Sequence, residues 1–339
     1  MGSAALCASS ACRWENSVIR IVALLGALLL GFATNAGAQS WPSRPIKLIV
    51  PSGPGSASDV IARLVAESLS RGLGQPIIVE NQAGASGIPA HQTVARAAPD
   101  GYTLLFSMSS GLATNPVSFK SLPYDPVKDF APISNVVDIG AQMLAVNVAL
   151  PVHTFPELIA YAKANPDKLT YGVDVTSGAS PVAARLLNKR AGLGMIEVPY
   201  RSAGQMAQDA ASGIVPVLIA SLAASNAMVQ AGKLRYLAIS SFKRFPILPD
   251  IPTMNETVPG VQMDGWFVLV APAGTAQDII QRVNREMDVV LSRKDVQDRI
   301  ISFGLATTGA WTPERTAEFI AREQEKWRGL AAELNIEKQ

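Results

Sequence analysis

A strand–loop–helix–strand rhythm, repeated along most of the chain, is the feature that most restricts its fold. Ile46 to Val50 is β-rich and mostly apolar, as a strand buried on both faces requires. A Gly/Ser loop follows, then a helix from about Asp59 to Arg71. Its Val60, Ile61, Leu64, Val65 and Leu69 fall on one face, and Gly72 is placed to end it. Ile77 to Val79 is the next strand. After Asn81 to Gly87 comes a helix ending near Ala98, stopped by Pro99-Asp100-Gly101, and then a strand from Thr103 to Phe106. This order predicts right-handed βαβ units and a mostly parallel sheet.

The rhythm restarts after about residue 140. Met143 to Val146 reads as a strand, and Thr154-Phe155-Pro156-Glu157 as a capping box that opens a helix. Leu169 to Tyr171, Met195 to Val198, Val215 to Ile219 and Leu234 to Ile239 are further strands, with room for helices between them. Residues 243–259 are Pro-rich and irregular. Trp266 to Val270 is a last strand, followed by two helices capped by Thr275 and by Thr312-Pro313. The mixed charges of the last helix read as a solvated face.

The N-terminus reads as an export signal. Arg13 and Arg20 precede or open an apolar run from Ile21 to Phe32, and Ala36-Gly37-Ala38 fits a signal-peptidase site. The run is shorter than a spanning helix needs; the alternative is an uncleaved anchor. Gln39 stands where a lipoprotein has Cys. Cleavage leaves roughly 300 residues, enough for two domains with their own cores. It also removes Cys7 and Cys12, so no disulfide, thiol nucleophile or thiolate ligand is expected. The net charge is +2, without a basic stripe, and nucleic-acid binding has no support.

Little in the chain points to catalysis. His91 and His153 are the only histidines and lie outside metal-ligand spacings; the ordinary role of each is structural or solvent-facing. There is no G-x-S-x-G elbow and no P-loop lysine motif. In Gly53-Pro54-Gly55-Ser56-Ala57-Ser58, Ser58 takes the third glycine position of a dinucleotide fingerprint. No catalytic residue, metal or cofactor is expected.

Binding has more support. In open α/β sheets, ligands sit outside the carboxyl ends of the strands. The loop from Pro51 to Asp59 holds Ser52, Gly53, Gly55, Ser56 and Ser58 there. Glycines let the backbone approach a ligand, and a following helix N-terminus attracts an anion without Lys or Arg. An ordinary βα turn has the same composition. The pattern recurs, however, at Ser86, at Ser107, Ser109 and Ser110, at Thr176, Ser177 and Ser180, and at Tyr200, Arg201 and Ser202. Five such loops in two halves suggest two facing rims. Arg201 adds either a ligand contact or a surface ion pair.

These residues also carry a resemblance. Trp41-Pro-Ser-Arg-Pro-Ile46, Ile49-Val-Pro51, Leu73-Gly-Gln-Pro76, Val79-Glu-Asn81, Ala98-Pro-Asp-Gly-Tyr-Thr103, Leu122-Pro-Tyr-Asp-Pro126, Val198-Pro-Tyr200, Gly232-Lys-Leu-Arg235, Leu248-Pro-Asp-Ile-Pro-Thr253 and Ala271-Pro-Ala-Gly-Thr275 span the mature chain. In this order they resemble the Bug family, the substrate-binding proteins of tripartite tricarboxylate transporters. The resemblance implies an α/β, two-lobed type II periplasmic-binding-protein fold, each lobe a mostly parallel sheet flanked by helices, with a ligand cleft between the lobes. Residues 39–140 and 251–339 would form lobe 1 and residues 141–250 lobe 2. A small organic acid would be the ligand and permease subunits the partner, with a sensor kinase as the alternative partner, for an expected monomer. Ser52 to Ser58 and Ser107 to Ser110 would line one lobe, Thr176 to Ser180 and Tyr200 to Gly204 the other. The chain departs from the family at Ser52, Gly53 and Ser56, at Val173 to Ser177, and at Pro216 and Ala220. Asp174 would repel a carboxylate if it faced the cleft.

Overall fold

The computed structural model describes residues 41–140, 142–174, 179–200 and 202–338, without the side chain of Asp174. Residues 44–339 pack as one unit; residues 1–43 form another, of which 41–43 are described. The expected export signal therefore lies outside the described residues.

The first half begins β1 (Ile46–Val50), α1 (Ala57–Leu73), β2 (Ile77–Asn81), α2 (Ile88–Ala95) and β3 (Thr103–Met108). A single π turn at Ser110–Thr114 and the short α3 (Asn115–Ser118) lead to β4 (Phe130–Val137). The chain then moves to β5 (Gln142–Asn147), α4 (Phe155–Ala164), β6 (Thr170–Asp174), α5 (Ala179–Ala191), β7 (Ile196–Tyr200), α6 (Ala203–Ser212), β8 (Val217–Ser221), α7 (Leu222–Gln230) and β9 (Leu234–Ile239). It returns through α8 (Met254–Thr257) to β10 (Phe267–Pro272), α9 (Gln277–Leu291), α10 (Lys294–Ser302) and α11 (Pro313–Glu333).

Two five-stranded sheets result, ordered β2-β1-β3-β10-β4 and β7-β6-β8-β5-β9. Each is mixed. In the first, β10 runs antiparallel to β3 and β4; in the second, β5 runs antiparallel to β8 and β9. The other four strands of each sheet share one direction, so the expected parallel bias holds with one reversed strand per sheet. That reversal positions the site. β10 begins at Phe267 opposite Met108 and Val137, and β5 begins at Gln142 opposite Ser221. Both chain crossings between the sheets therefore lie at the carboxyl edges of the parallel strands.

Local chemistry explains most boundaries. Ser56 caps α1 by accepting from the Asp59 amide, and Gly74, at φ 72°, ends it in the left-handed conformation. The expected stop at Gly72 is displaced: that residue stays helical, where the Glu286 side chain occupies the place of a Cβ. Thr154 caps α4, while Glu157 reaches back to the His153 amide at 2.6 Å. Thr312 caps α11 as expected. Thr275 does not cap α9; its buried hydroxyl donates to the Pro272 carbonyl at 2.7 Å. A third C-terminal helix, α10, stands between the two expected ones. Strand β4 was not foreseen from the sequence. Pro132 interrupts its β pattern, and only an edge position that pairs with β10 alone tolerates the missing donor.

The crossings are knitted together by backbone and by Ser240. The Gly265 amide donates to the Gly140 carbonyl at 2.8 Å. The Gln142 amide donates to Ser240 Oγ at 2.9 Å, and that hydroxyl donates to the Met263 carbonyl at 2.5 Å. A further tie joins α5 of the second sheet to α11, which packs on β4: Arg190 clasps Glu333 with bonds of 2.9 and 2.7 Å.

A Cβ on Gly140 would lie 2.5 Å from the Gly265 carbonyl oxygen, whereas one on Gly329 within α11 would meet nothing. Gly140→Ala is therefore expected to cost about 1–3 kcal/mol, and Gly329→Ala to stabilise by about 0.5–1 kcal/mol. Urea unfolding of the two variants beside the parent checks both signs.

Candidate functional site

The carboxyl edge of the first sheet carries a loop built on one buried acid. Asp59, 2% exposed, accepts from the Gly55 amide at 2.8 Å, from Arg63 Nε at 3.0 Å and from Asn81 Nδ2 at 2.8 Å. Burial pushes its pKa up, but Arg63, the Gly55 amide and Asn81 outweigh burial and hold the carboxyl below its ordinary value. The same Asn81 amide binds the Ser52 carbonyl at 3.0 Å, tying the loop to β2. Gly55 takes φ 81°, which only glycine adopts without strain. The turn gathers three hydroxyls: Ser52 and Ser58 lie 2.7 Å apart, and Ser56 donates to Ser52 at 2.9 Å. Gly53 has open space around it. Arg63 offsets the Asp59 charge, so the helix N-terminus above it keeps its attraction for an anion.

Beneath the next two loops lies His91, fully buried in α2. Its Nδ1 is 2.8 Å from the Gly87 carbonyl and its Nε2 2.8 Å from Ser107 Oγ. The ring stacks on Tyr124 with centroids 5.2 Å apart and meets Phe130 edge-on. Tyr124 donates to the Gly111 carbonyl at 2.8 Å, and Asn115 Nδ2 donates to the Ser86 carbonyl at 3.1 Å. Gly111 is forced: a Cβ there would collide with the imidazole. Burial lowers the His91 pKa to about 4 against the opposing Gly87 carbonyl, so the ring is neutral at pH 7. Ser107 and His91 have the spacing of a nucleophile and its base, but neither exposes any surface. Ser107 thus supports the rim from below. Ser86, exposed at φ 54°, and the half-exposed Ser109 and Ser110 form the rim itself. The Ser109 amide donates to the Trp266 carbonyl at 3.0 Å, which fixes the rim to the second crossing.

On the second sheet, α6 and α7 begin at the carboxyl ends of β7 and β8. Ser202 caps α6 by accepting from the Gln205 amide at 3.3 Å. Tyr200 donates to Asp209 Oδ2 at 2.9 Å; burial and that carboxylate raise its pKa to about 12. Ser180 is fully buried and donates to the Ile219 carbonyl, so it too sits under the edge. Thr176, Ser177 and Arg201 lie outside the described residues, as does the direction of Asp174. Ser221 was missed by sequence reasoning. It is exposed at the start of α7 with no hydroxyl bond into the helix, and it pairs across the sheet with Gln142. The strand-end serine rule that singled out the other loops would have found it.

The crossings hold a buried acid cluster. Asp264, 4% exposed, accepts from the Phe242 amide at 3.1 Å, while its Oδ1 has no partner. Burial raises its pKa to about 7; Lys326 opposes that rise, and Glu323 and Asp138 add to it. Lys326 Nζ lies 2.6 Å from Glu323 Oε1, and Trp266 Nε1 donates to Glu323 Oε2 at 3.1 Å. Asp138 accepts from the Thr308 amide and hydroxyl at 2.8 and 2.7 Å. No group of three or more His, Cys, Asp or Glu suited to a metal ion occurs among the described residues. No described helix is long and apolar enough to cross a membrane. A groove of about 400 Å³ between Val127, Arg328 and Ile336 shares no residue with the rims.

His91 and Asp264, both buried, have opposite pH dependence. His91 is held below its ordinary 6.5, so its contribution is complete above that pH and is lost as pH falls toward 4. Asp264 is raised from 3.8 to about 7, so folding gains from it as pH falls through 7. Relative to the parent between pH 7.5 and 4.5, Asp264→Asn is expected to lose, and His91→Phe to gain, about 3 kcal/mol each. Urea unfolding at the two pH values reads both differences; a common sign for the two would contradict the assignment.

A family model described as "Tripartite tricarboxylate transporter family receptor" matches residues 61–336. Protein BugT of Bordetella pertussis is 35% identical over 94% of this chain and 98% of its own. An R. palustris protein solved with adipate has 32% identity and a TM-score of 0.73, covering 88% of this chain and 100% of its own. A Rhodopseudomonas palustris protein solved with bound malate has 28% identity and a TM-score of 0.66, covering 86% and 100%. The two-sheet architecture, the edge loops and these matches agree, and the chain belongs to the tripartite tricarboxylate transporter receptor family of periplasmic solute-binding proteins.

Proposed function

We propose that this protein captures a small organic acid between two lobes and delivers it to the membrane subunits of a tripartite tricarboxylate transporter. In this reading the export peptide is removed near Ala38. Residues 39–140 and 251–339 form one lobe and residues 141–250 the other. The observation that carries the proposal is the convergence of helix N-termini on the two carboxyl edges, next to both crossings. Helices α1 and α6 begin there with the serine caps Ser56 and Ser202, and α7 begins at Ser221. Each N-terminus offers unpaired amides and a partial positive charge, and each bond to a carboxylate contributes about 1.5–3 kcal/mol. The relatives solved with adipate and with malate support a carboxylate ligand. Lobe closure would present the loaded form to the permease.

Thermal shift with adipate, malate, aromatic acids and amino acids tests the ligand class. A matching acid at a hundred times its Kd should add about 2.7 kcal/mol of stability. A panel without a stabilising carboxylate would sink the reading. Arg63→Ala should weaken that acid severalfold without touching it, because Asp59 then stands uncompensated below the loop; calorimetry measures the change. Recovery of permease subunits from membranes with the loaded protein supports delivery, and recovery of a sensor kinase alone contradicts it.

A further inference from the structure

The Gly87 carbonyl only accepts hydrogen bonds. His91 Nδ1, 2.8 Å away, must therefore carry the ring hydrogen, and Nε2 must accept the Ser107 hydroxyl. One neutral tautomer thus bridges the loop after β2 to the end of β3. Both ends of the bridge are fixed. Gly87 adopts φ 78°, and a Cβ there would lie 2.8 Å from Pro51 Cβ of the serine loop. Gly111 lies flush against the imidazole. Tyr124 and Asn115 close the ring by binding the Gly111 and Ser86 carbonyls.

We propose that His91 is a positioning residue for the ligand rim of the first sheet, which it spaces only as the neutral ring with hydrogen on Nδ1. The inference rests on reading this edge as a ligand rim. His91 touches no ligand, because it is fully buried. It acts through Gly87 and Ser107 on Ser86 and on Ser109–Ser110. A charged ring would make Nε2 a donor, and Ser107 would then turn its hydrogen to the Met108 carbonyl, 3.3 Å away. Among the described residues no carboxylate balances that charge. The groups packed on the ring are Tyr124, Phe130, Ser107 and the Gly87 and Gly111 backbone, and the phenol of Tyr124, its pKa raised by burial to about 12, stays neutral. The rim therefore loosens as the ring is protonated, and affinity falls on the acid side.

Nitrogen-15 spectra of the imidazoles at pH 7 come first; only His153 needs to be told apart. His91 should show the Nδ1–H form, and an Nε2–H or charged ring would overturn the proposal. Amide exchange in the ligand-free protein comes second. His91→Phe, which keeps the stacked ring but neither bond, should speed exchange at Gly87 and Ser109 at least tenfold; rates within twofold of the parent would overturn it. The parent's protection should decline in acid with the His91 titration, and that decline should vanish in His91→Phe. If His91→Phe does not fold, Ser107→Ala serves: Ser109 should exchange faster while Gly87 stays near the parent rate, and an unchanged Ser109 would overturn the proposal. Calorimetry with adipate and malate comes last, and whichever binds the parent should bind His91→Phe about tenfold more weakly. If neither acid binds the parent, the carboxylate reading fails, while exchange and the imidazole spectra still decide the role of His91.

Discussion

Where the chain passes between the sheets, two backbones run so close that Gly140 has no room for a side chain. A Cβ there would reach the Gly265 carbonyl at 2.5 Å. This contact sets the geometry of everything above it. β5 and β10 are reversed, so both passages open at the carboxyl edge of their sheets. The loops that follow β1, β2 and β3, and on the second sheet those that follow β7 and β8, then open at the same edge as the passages, and α1, α6 and α7 begin there. Ser240 completes the joint by serving the Gln142 amide and the Met263 carbonyl with one hydroxyl.

The rim is supported by buried polar groups instead of apolar packing alone. Asp59, paired with the half-exposed Arg63, holds the serine turn, His91 holds the next two loops, and Glu323 with Lys326 and Trp266 underlies the crossings. Such groups are costly when unpaired and directional when paired. Their directionality restricts where each loop can sit more than apolar contact alone would. Asp264 Oδ1 and Gln142 Oε1 are buried without hydrogen-bond partners, and both lie at the crossings.

Much of the fold was legible in the sequence because periodicity reports burial. The strands at Ile46, Thr103, Met143 and Leu234 and the caps at Thr154 and Thr312 stand where residue pattern alone put them. β4 was hidden because Pro132 looks like a break until the strand is known to lie at an edge. Thr275 has cap chemistry, but a carbonyl three residues back takes its hydroxyl. The site was readable as a set of strand-end loops but not in depth. Ser86 and Ser107 come from similar loops, yet one is exposed and the other sealed. What seals Ser107 is His91, sixteen residues away in sequence, and pattern alone does not pair residues at that distance. Ser240 carries no local signal at all, since its role exists only once two distant segments meet.

The serine turn has a kinetic consequence. Its described polar groups are hydroxyls and amides, with Arg63 already spent on Asp59. The pull of a helix terminus fades within about one turn, whereas a cluster of free cations would reach out for about a Debye length, roughly 8 Å in physiological salt. With a net charge of only +2 behind it, this turn would do little to gather anions from a distance. On the proposed reading its solutes would arrive by ordinary diffusion and be sorted at contact, so discrimination would rest on how slowly a solute leaves and would vary little with the ionic strength around the protein.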